Sequence, residues 1–510
     1  MSTRIIARNS MWFGIETGVG FASGLFASIA IARALGPDKL GPFVYISWLT
    51  SVAASLGGLG IPAATTQYVA EYLGRGEAGV ARAIFFFTLR LQTMLAIALT
   101  AIALVIVLWI VSPEKRVFAS LLGLSLLPMM INFISAQGNA GAEDLAANVP
   151  GSLVSNVVWV TGVTLALTFG WELVGLAAAL LATRVSDLAV RIVPTVRRFR
   201  QFPHGALPPE VRRRIFVFSR QNVVLLLLNA IVWDRSEILF LQYFSSARQL
   251  AFYSVVFNIS ERVRVIPMVF GSAVNPTILA QYGRDPARLN GIVSNAVRYL
   301  GLVILPVNLG IAVLSAPFMH LLYGSKYLEA IPLMALATIL AIPKALLAPI
   351  NSLMGATENQ NVVVRWTVVV AILNLALDFW LIRAHAAMGA VIANGVAQLV
   401  MAVALFLHAA KLLDLHFPVL PFAKISLSAG VMAAVIRLIP ARWSPLAAIA
   451  AGVAAGGAVF LFMLRLTGSL QAQDGVRLKQ LRSRMPAWLR PWVDRGAALL
   501  IPELPTAKVM

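Results

Sequence analysis

The chain contains no cysteine, which excludes disulfides, thiol nucleophiles and cysteine-ligated metal centres. Charge of any kind is scarce: Asp, Glu, Lys and Arg make up only 12% of 510 residues. The five histidines (His204, His320, His385, His408 and His416) show no HExxH or other ligand spacing. No stretch reads GxxxxGK[ST], so nothing here binds a nucleotide in the Walker manner, and no cofactor is expected. Outer loops long enough to hold a donor and an acceptor are also missing, which counts against a membrane polymerase or ligase.

Apolar side chains fill the space. They account for 59% of the residues, and mean hydropathy is +0.83, far from a soluble domain, which is roughly half apolar and a quarter charged. Runs of about 20 apolar residues, enough to span a bilayer, recur from near Ser10 to Leu466. They predict an all-α polytopic membrane protein with about 14 transmembrane helices, at 10–32, 43–66, 84–111, 117–137, 150–170, 173–195, 215–243, 252–279, 292–316, 329–353, 364–383, 387–409, 420–440 and 445–466. The first run follows Arg4 and Arg8 and is too long for a signal-peptide core, so it reads as a retained span.

The net charge of +20 is spread in a way that fits a membrane surface rather than nucleic acid. Arg75, Arg82, six arginines of the 197–214 loop, Arg284, Arg288, Lys411, Lys424 and a basic tail fall in alternate gaps. The intervening gaps hold little beyond Lys39, Lys115, Arg116, Arg248, Lys326 and Arg442. By the positive-inside rule both termini are cytoplasmic. The proline- and arginine-rich loop 201–214 separates a first group of six helices (1–200) from a second (215–411). Two additional helices (412–466) and a basic amphipathic tail (467–510) follow. A short, singly basic turn recurs at Leu35–Tyr45 and Phe244–Tyr253, a weak repeat expected of two parallel six-helix halves.

Charges within spans are the functional suspects, because each costs about 2.5–3.5 kcal/mol at the bilayer centre and needs a partner or a wet cavity. Glu16 is alone in the first span and suits either a paired carboxylate or a coupling-ion site. Asn222, Asn229 and Trp233 share a stripe of the seventh span with Ser236, and Glu237 lies beside it. Amides and an indole suit sugar hydroxyls and pyranose faces, or simply interhelical hydrogen bonds. Arg220 lies near the inner end of the same span. On the eighth span, Asn258, Glu261 and Arg262 cluster on one face with Arg264 further round. That pattern fits a structural Glu261–Arg264 pair at i,i+3 or an arginine site for phosphate oxygens. Arg184, Asp187 and Arg191 form a self-paired ladder on the sixth span. Lys344 and Asp378 are isolated deep charges that either pair or line a second cavity.

The stretch from Ala32-Arg33 through Leu35-Gly36-Pro37 to Gly41-Pro42-Phe43 resembles the ARxLGPxxyGxF first-hairpin signature of bacterial O-antigen and exopolysaccharide flippases. Gly57–Pro62, Gln67–Tyr72 and Leu322–Ala330 are similar to later motifs of that family. Leu381–Gly395 keeps only part of its glycine pattern, with Arg383 replacing a proline. The resemblance spans most of residues 5–410 and implies two six-helix lobes in a V around a central cavity. It further implies export of an undecaprenyl-diphosphate-linked oligosaccharide across the inner membrane by alternating access. Arg262, Arg264, Arg220 and Lys344 would then hold the diphosphate, and Asn258, Asn222, Asn229 and Trp233 the glycan. Glu16, Glu261 and Asp378 are candidates for ion coupling. A polysaccharide polymerase and a chain-length regulator are the implied protein partners. A cation-coupled multidrug antiporter of the same superfamily is the alternative.

Overall fold

The computed structural model describes residues 3–232, 235–285, 288–413, 417–440, 442–470, 474 and 490–491. Among them every regular element is helical, and eleven helical stretches are long and apolar enough to cross a membrane. The chain is an all-α, multi-pass membrane protein, the architecture that lets each spanning segment satisfy its own backbone where no water is present. Outward-facing side chains such as Trp109, Ile110 and Leu438 form an apolar exterior that a soluble monomer would not tolerate.

Two stretches, Gly14–Gly57 and Gln360–Leu412, contain a bend where the apolar pattern separates two spans. The first bends at Gly36, φ 71°, a backbone conformation open to glycine, and Pro37 follows with no N–H to continue the helix. The second bends at Ala386, φ 49°, where an L-residue carries about 1–3 kcal/mol of strain. The expected second span, 43–66, is interrupted: helix stops at Gly57, and Leu59 and Gly60 have φ of 48° and 71°. A new helix then starts at Ile61-Pro62, proline being well placed in a first turn.

One compact unit comprises Met1–Val255 with Asp378–Ala387. It contains α1 (Thr3–Gly57), α2 (Ile61–Gly74), α3 (Ala78–Ile110), α4 (Pro113–Leu124), α5 (Leu126–Gly141), α6 (Val149–Thr168), α7 (Glu172–Gln201), α8 (Pro209–Val232), α9 (Glu237–Phe244) and the start of α10 (Ala247–Val263). One core cluster joins α2, α3, α5, α7 and α8, with Phe85 and Phe199 stacked at 3.9 Å between ring centres. At the opposite end, Lys39 Nζ lies 2.6 Å from Glu172 Oε1, so the bend at Gly36 and the α6–α7 turn share one end of the unit.

The second unit comprises Val256–Leu377 with Met388–Met510. It holds the end of α10, α11 (Val265–Arg284), α12 (Leu289–Val313), α13 (Ser315–Leu322), α14 (Ile331–Leu346), α15 (Ala348–Ala356), α16 (Gln360–Leu377), most of α17 (Arg383–Leu413), α18 (Val419–Ile436) and α19 (Pro445–Leu466). Leu305 and Leu314 pack against Ile425, Ala429, Met432, Phe460 and Leu464, so α18 and α19 are built into this unit's core. Of the expected tail, residues 471–473, 475–489 and 492–510 lie outside the described residues.

Gly60 bears two demands at once. Besides its positive φ, a Cβ there would meet Ser219 O at 2.5 Å and Asn222 Cβ at 2.9 Å. Gly60→Val is expected to destabilise the protein by at least about 1–3 kcal/mol through overpacking alone, seen as a lower unfolding temperature in detergent. An unchanged temperature would show that the α2–α8 contact is not close.

Candidate functional site

Helix α10 ends at Val263 because Pro267, lacking an N–H, follows in the first turn of α11. The break leaves three charges at the α10–α11 junction, and a fourth arrives on α14 beside Pro343. Arg264 Nε sits 2.7 Å from Glu261 Oε2, the i,i+3 pair expected from the spacing. Lys344 Nζ approaches Glu261 Oε1 at 3.6 Å, with its side chain only 14% exposed. Arg262 is half-buried and within electrostatic reach of Glu261 and Tyr323. Asn258, half-buried, precedes Arg262 by one turn on the same helix. One carboxylate is therefore surrounded by three cations. Guanidinium groups of this kind can bind phosphate oxygens in bidentate fashion.

A second charged compartment lies in the first unit. Asp378 opens a widened helical turn, Asp378–Ile382, a distortion frequent at functional sites. It is fully buried and accepts a hydrogen bond from Ser236 Oγ at 3.0 Å. Glu237, also fully buried, and the Tyr253 hydroxyl lie beside it. Two buried carboxylates thus lie together, with Arg235 within electrostatic reach of the same Tyr253 hydroxyl. Sequence reading found Asp378 and noted Glu237 only as a neighbour of the amide stripe. Nothing in the one-dimensional spacing joins the two residues.

Glu16 belongs to a third cluster. It accepts a hydrogen bond from Ser152 Oγ, and that hydroxyl also receives Arg191 Nη2 at 3.0 Å. Arg191 pairs with Asp187 Oδ1 at 2.8 Å, within the ladder expected on that helix. Asn132 Nδ2 donates to Asp187 Oδ2 at 2.6 Å. Gly151 makes this closure possible, because a Cβ there would stand 2.6 Å from Asp187 Oδ1. α1, α5, α6 and α7 are thus tied together by a network whose fixed cation is Arg191, and Glu16 already faces that network.

The other amide-stripe candidates are dispersed. Asn222 packs on Gly60 and donates to Phe218 O at 3.0 Å. Arg220 is exposed. The Asn229 side chain and Trp233 lie outside the described residues. Glu71, within the Gln67–Tyr72 segment quoted above, proves to be a charged hub. Arg214 reaches both its oxygens at 3.0 Å, and Arg75 one of them at 2.6 Å. Arg214 also lies over the Tyr68 ring at 4.9 Å. Hydrogen bonding to Glu71 holds the Arg214 guanidinium above its ordinary pKa.

Helices of this number, with buried charge clusters and no extramembrane domain among the described residues, define a polytopic transporter fold. A solved structure of the lipid II flippase MurJ in an inward closed conformation matches with a TM-score of 0.74. The match covers 89% of this chain and 98% of that one at 15% identity. An inward-facing multidrug resistance transporter of the MATE family matches at 0.61, covering 78% and 94% at 16% identity. A further transporter of that superfamily, from Pyrococcus furiosus, matches at 0.53, covering 80% and 95% at 17% identity. These likenesses establish the fold. A Haloferax volcanii protein named "Probable low-salt glycan biosynthesis flippase Agl15" is 23% identical over 422 residues, 79% of this chain and 83% of its own length. The family model described as "Polysaccharide biosynthesis protein" matches residues 30–332, and the chain belongs to that family.

Removing one member of the buried Asp187–Arg191 pair is expected to cost more than removing both. Arg191→Met leaves a buried carboxylate without its cation, a loss of about 3–5 kcal/mol, whereas replacing both partners of such a pair is often near neutral. Thermal unfolding of Arg191→Met and of Asp187→Asn/Arg191→Met checks this. Equal destabilisation would show that the two charges do not depend on each other.

Proposed function

We propose that the protein is a flippase that carries a polyprenyl-diphosphate-linked oligosaccharide across the inner membrane of a bacterium for surface polysaccharide synthesis. Family membership and the relative named as a glycan biosynthesis flippase support this reading, as does a fold shared with the lipid II flippase MurJ. The observation that carries it is the convergence of Arg262, Arg264 and Lys344 on Glu261 at the α10–α11 break. In this reading those cations hold the diphosphate. Asn258 contacts the first sugars. The polyprenyl tail stays in lipid.

Transport follows alternating access between two six-helix lobes, 1–200 and 215–411, joined by the 201–214 loop, with both termini in the cytoplasm. Asp378, with Glu237, is the coupling-ion site, because two buried carboxylates offer a place that a cation or proton stabilises and its departure destabilises. Glu16 and Glu261 are bound to fixed cations or to groups that contact them, and they act by positioning those cations. The protein performs translocation rather than bond chemistry. A polymerase and a chain-length regulator are its pathway partners. The shared fold with multidrug transporters supports a cation-coupled antiporter as the second reading, which requires a net acidic substrate site.

In a strain lacking its own flippase, the wild-type protein is expected to restore surface polysaccharide. Arg262→Ala is expected to lower it about 10-fold or more at matched membrane expression, since a charge-assisted hydrogen bond contributes about 1.5–3 kcal/mol. Normal polysaccharide with both Arg262→Ala and Lys344→Ala would remove the cationic site from the mechanism. Drug resistance without polysaccharide would favour the antiporter.

A further inference from the structure

α11 and α12 follow one another with only a short connection between them, and both belong to stretches long and apolar enough to cross a membrane. Between the two helices lies a cavity of about 510 Å³, inside the range of about 300–1,000 Å³ usual for small-molecule sites. Phe270, Ala273, Val274 and Thr277 line it from α11, at the i, i+3, i+4 and i+7 spacing of a single helical face. Gly291, Ile292 and Asn295 line it from α12, with Arg288 at the connecting end and Tyr299 at the other. At about 1.5 Å per residue the lining runs roughly 10 Å along α11 and roughly 16 Å along α12. The cavity is an elongated slot parallel to the helices.

Its two ends differ. The deep end is closed by aromatic rings held in place. Phe270 packs on the core of Leu300, Ile304 and Ala345. The Tyr299 hydroxyl donates to Asp474 Oδ1 at 2.5 Å, the carboxylate that also pairs with the buried Arg298. The end at the α11–α12 connection is polar. There the Arg288 side chain is 79% exposed, and its Nε lies 3.0 Å from Asp285 Oδ2. A pair this exposed is weak, so a phosphate can compete with Asp285 for the guanidinium and engage it in bidentate fashion. One turn in from Arg288, Gly291 leaves room, because a Cβ there would meet nothing within 4 Å.

We propose that this slot holds one acyl chain of an anionic phospholipid, with the phosphate on Arg288 and the chain lying along α11 and α12 towards Phe270 and Tyr299. Apolar walls parallel to the spans match a chain aligned with the bilayer. A cation at the polar end of the slot matches the charge of the headgroup. Size chooses among lipids. At about 30 Å³ for a group the size of water or a methylene, the slot takes roughly 17 such groups. That is one acyl chain, and far less than a polyprenyl chain. The lining residues all belong to the second unit, and the inference does not depend on what the protein transports.

In nanodiscs, full-length protein is given phosphatidylglycerol that carries a diazirine at mid-chain. After illumination and proteolysis, mass spectrometry is expected to find the lipid attached within residues 270–277 and 291–299. A phosphatidylcholine probe with the same chain is expected to attach several-fold less. Gly291→Leu puts a side chain into the slot without a backbone clash and favours the helix. It is expected to lower the attachment several-fold. Ala273→Leu, on the α11 wall, is expected to act in the same way and carries the test should Gly291→Leu fail to fold. Arg288→Gln is expected to bring phosphatidylglycerol down to the phosphatidylcholine level.

Attachment spread evenly over other apolar helix faces, or unchanged in both slot-filling variants, would overturn the proposal, because a lipid of the surrounding bilayer needs no slot. Equal attachment of the two probes to wild-type protein would remove Arg288 from the site and the anionic class with it. Loss of attachment on adding excess polyprenyl phosphate, but not on adding unlabelled phosphatidylglycerol, would assign the slot to an isoprenoid lipid and overturn the proposal as well.

Discussion

The hydrocarbon core offers a charged side chain no water, and this constraint organises the protein. A lone charge at mid-span costs about 2.5–3.5 kcal/mol on insertion scales, so charges occur in groups whose members satisfy one another. The groups differ in composition. Asp187 and Arg191 are matched one to one and share Asn132 and Ser152, which makes them a brace for α1, α5, α6 and α7. Arg262, Arg264 and Lys344 gather around Glu261. Asp378 and Glu237 concentrate acid in a buried compartment.

The same constraint explains how much can be read from sequence. Apolar runs reveal the spans because lipid demands them, and Gly36-Pro37 announces a bend because one residue tolerates positive φ and the next cannot donate a hydrogen bond. Helical periodicity exposes pairs on a single helix, and Glu261–Arg264 and Asp187–Arg191 form as their spacing requires. Periodicity says nothing of partners on other helices. Glu71 with Arg214, Glu16 with Ser152 and Arg298 with Asp474 are separated by 143, 136 and 176 positions, and no local pattern links them. The bend at Ala386 is equally silent, since alanine carries no signal for positive φ.

Family membership supplies the chemical class, and the clusters supply residues to which roles can be attached. A diphosphate needs guanidinium and ammonium groups held where lipid and water meet, and α10 delivers them by ending at a proline-enforced break. In the proposed reading, substrate and coupling ion use separate clusters.

The central claim is translocation of the lipid-linked glycan itself, and purified protein in proteoliposomes tests it most directly. With a polyprenyl-diphosphate-linked oligosaccharide in one leaflet, a membrane-impermeant glycosidase reports its appearance in the other. Wild-type protein is expected to expose the glycan within the assay, and Arg262→Ala to leave it at the protein-free rate. Glycan that stays protected with folded wild-type protein, or that moves equally well with Arg262→Ala, would contradict the cationic site as the seat of transport.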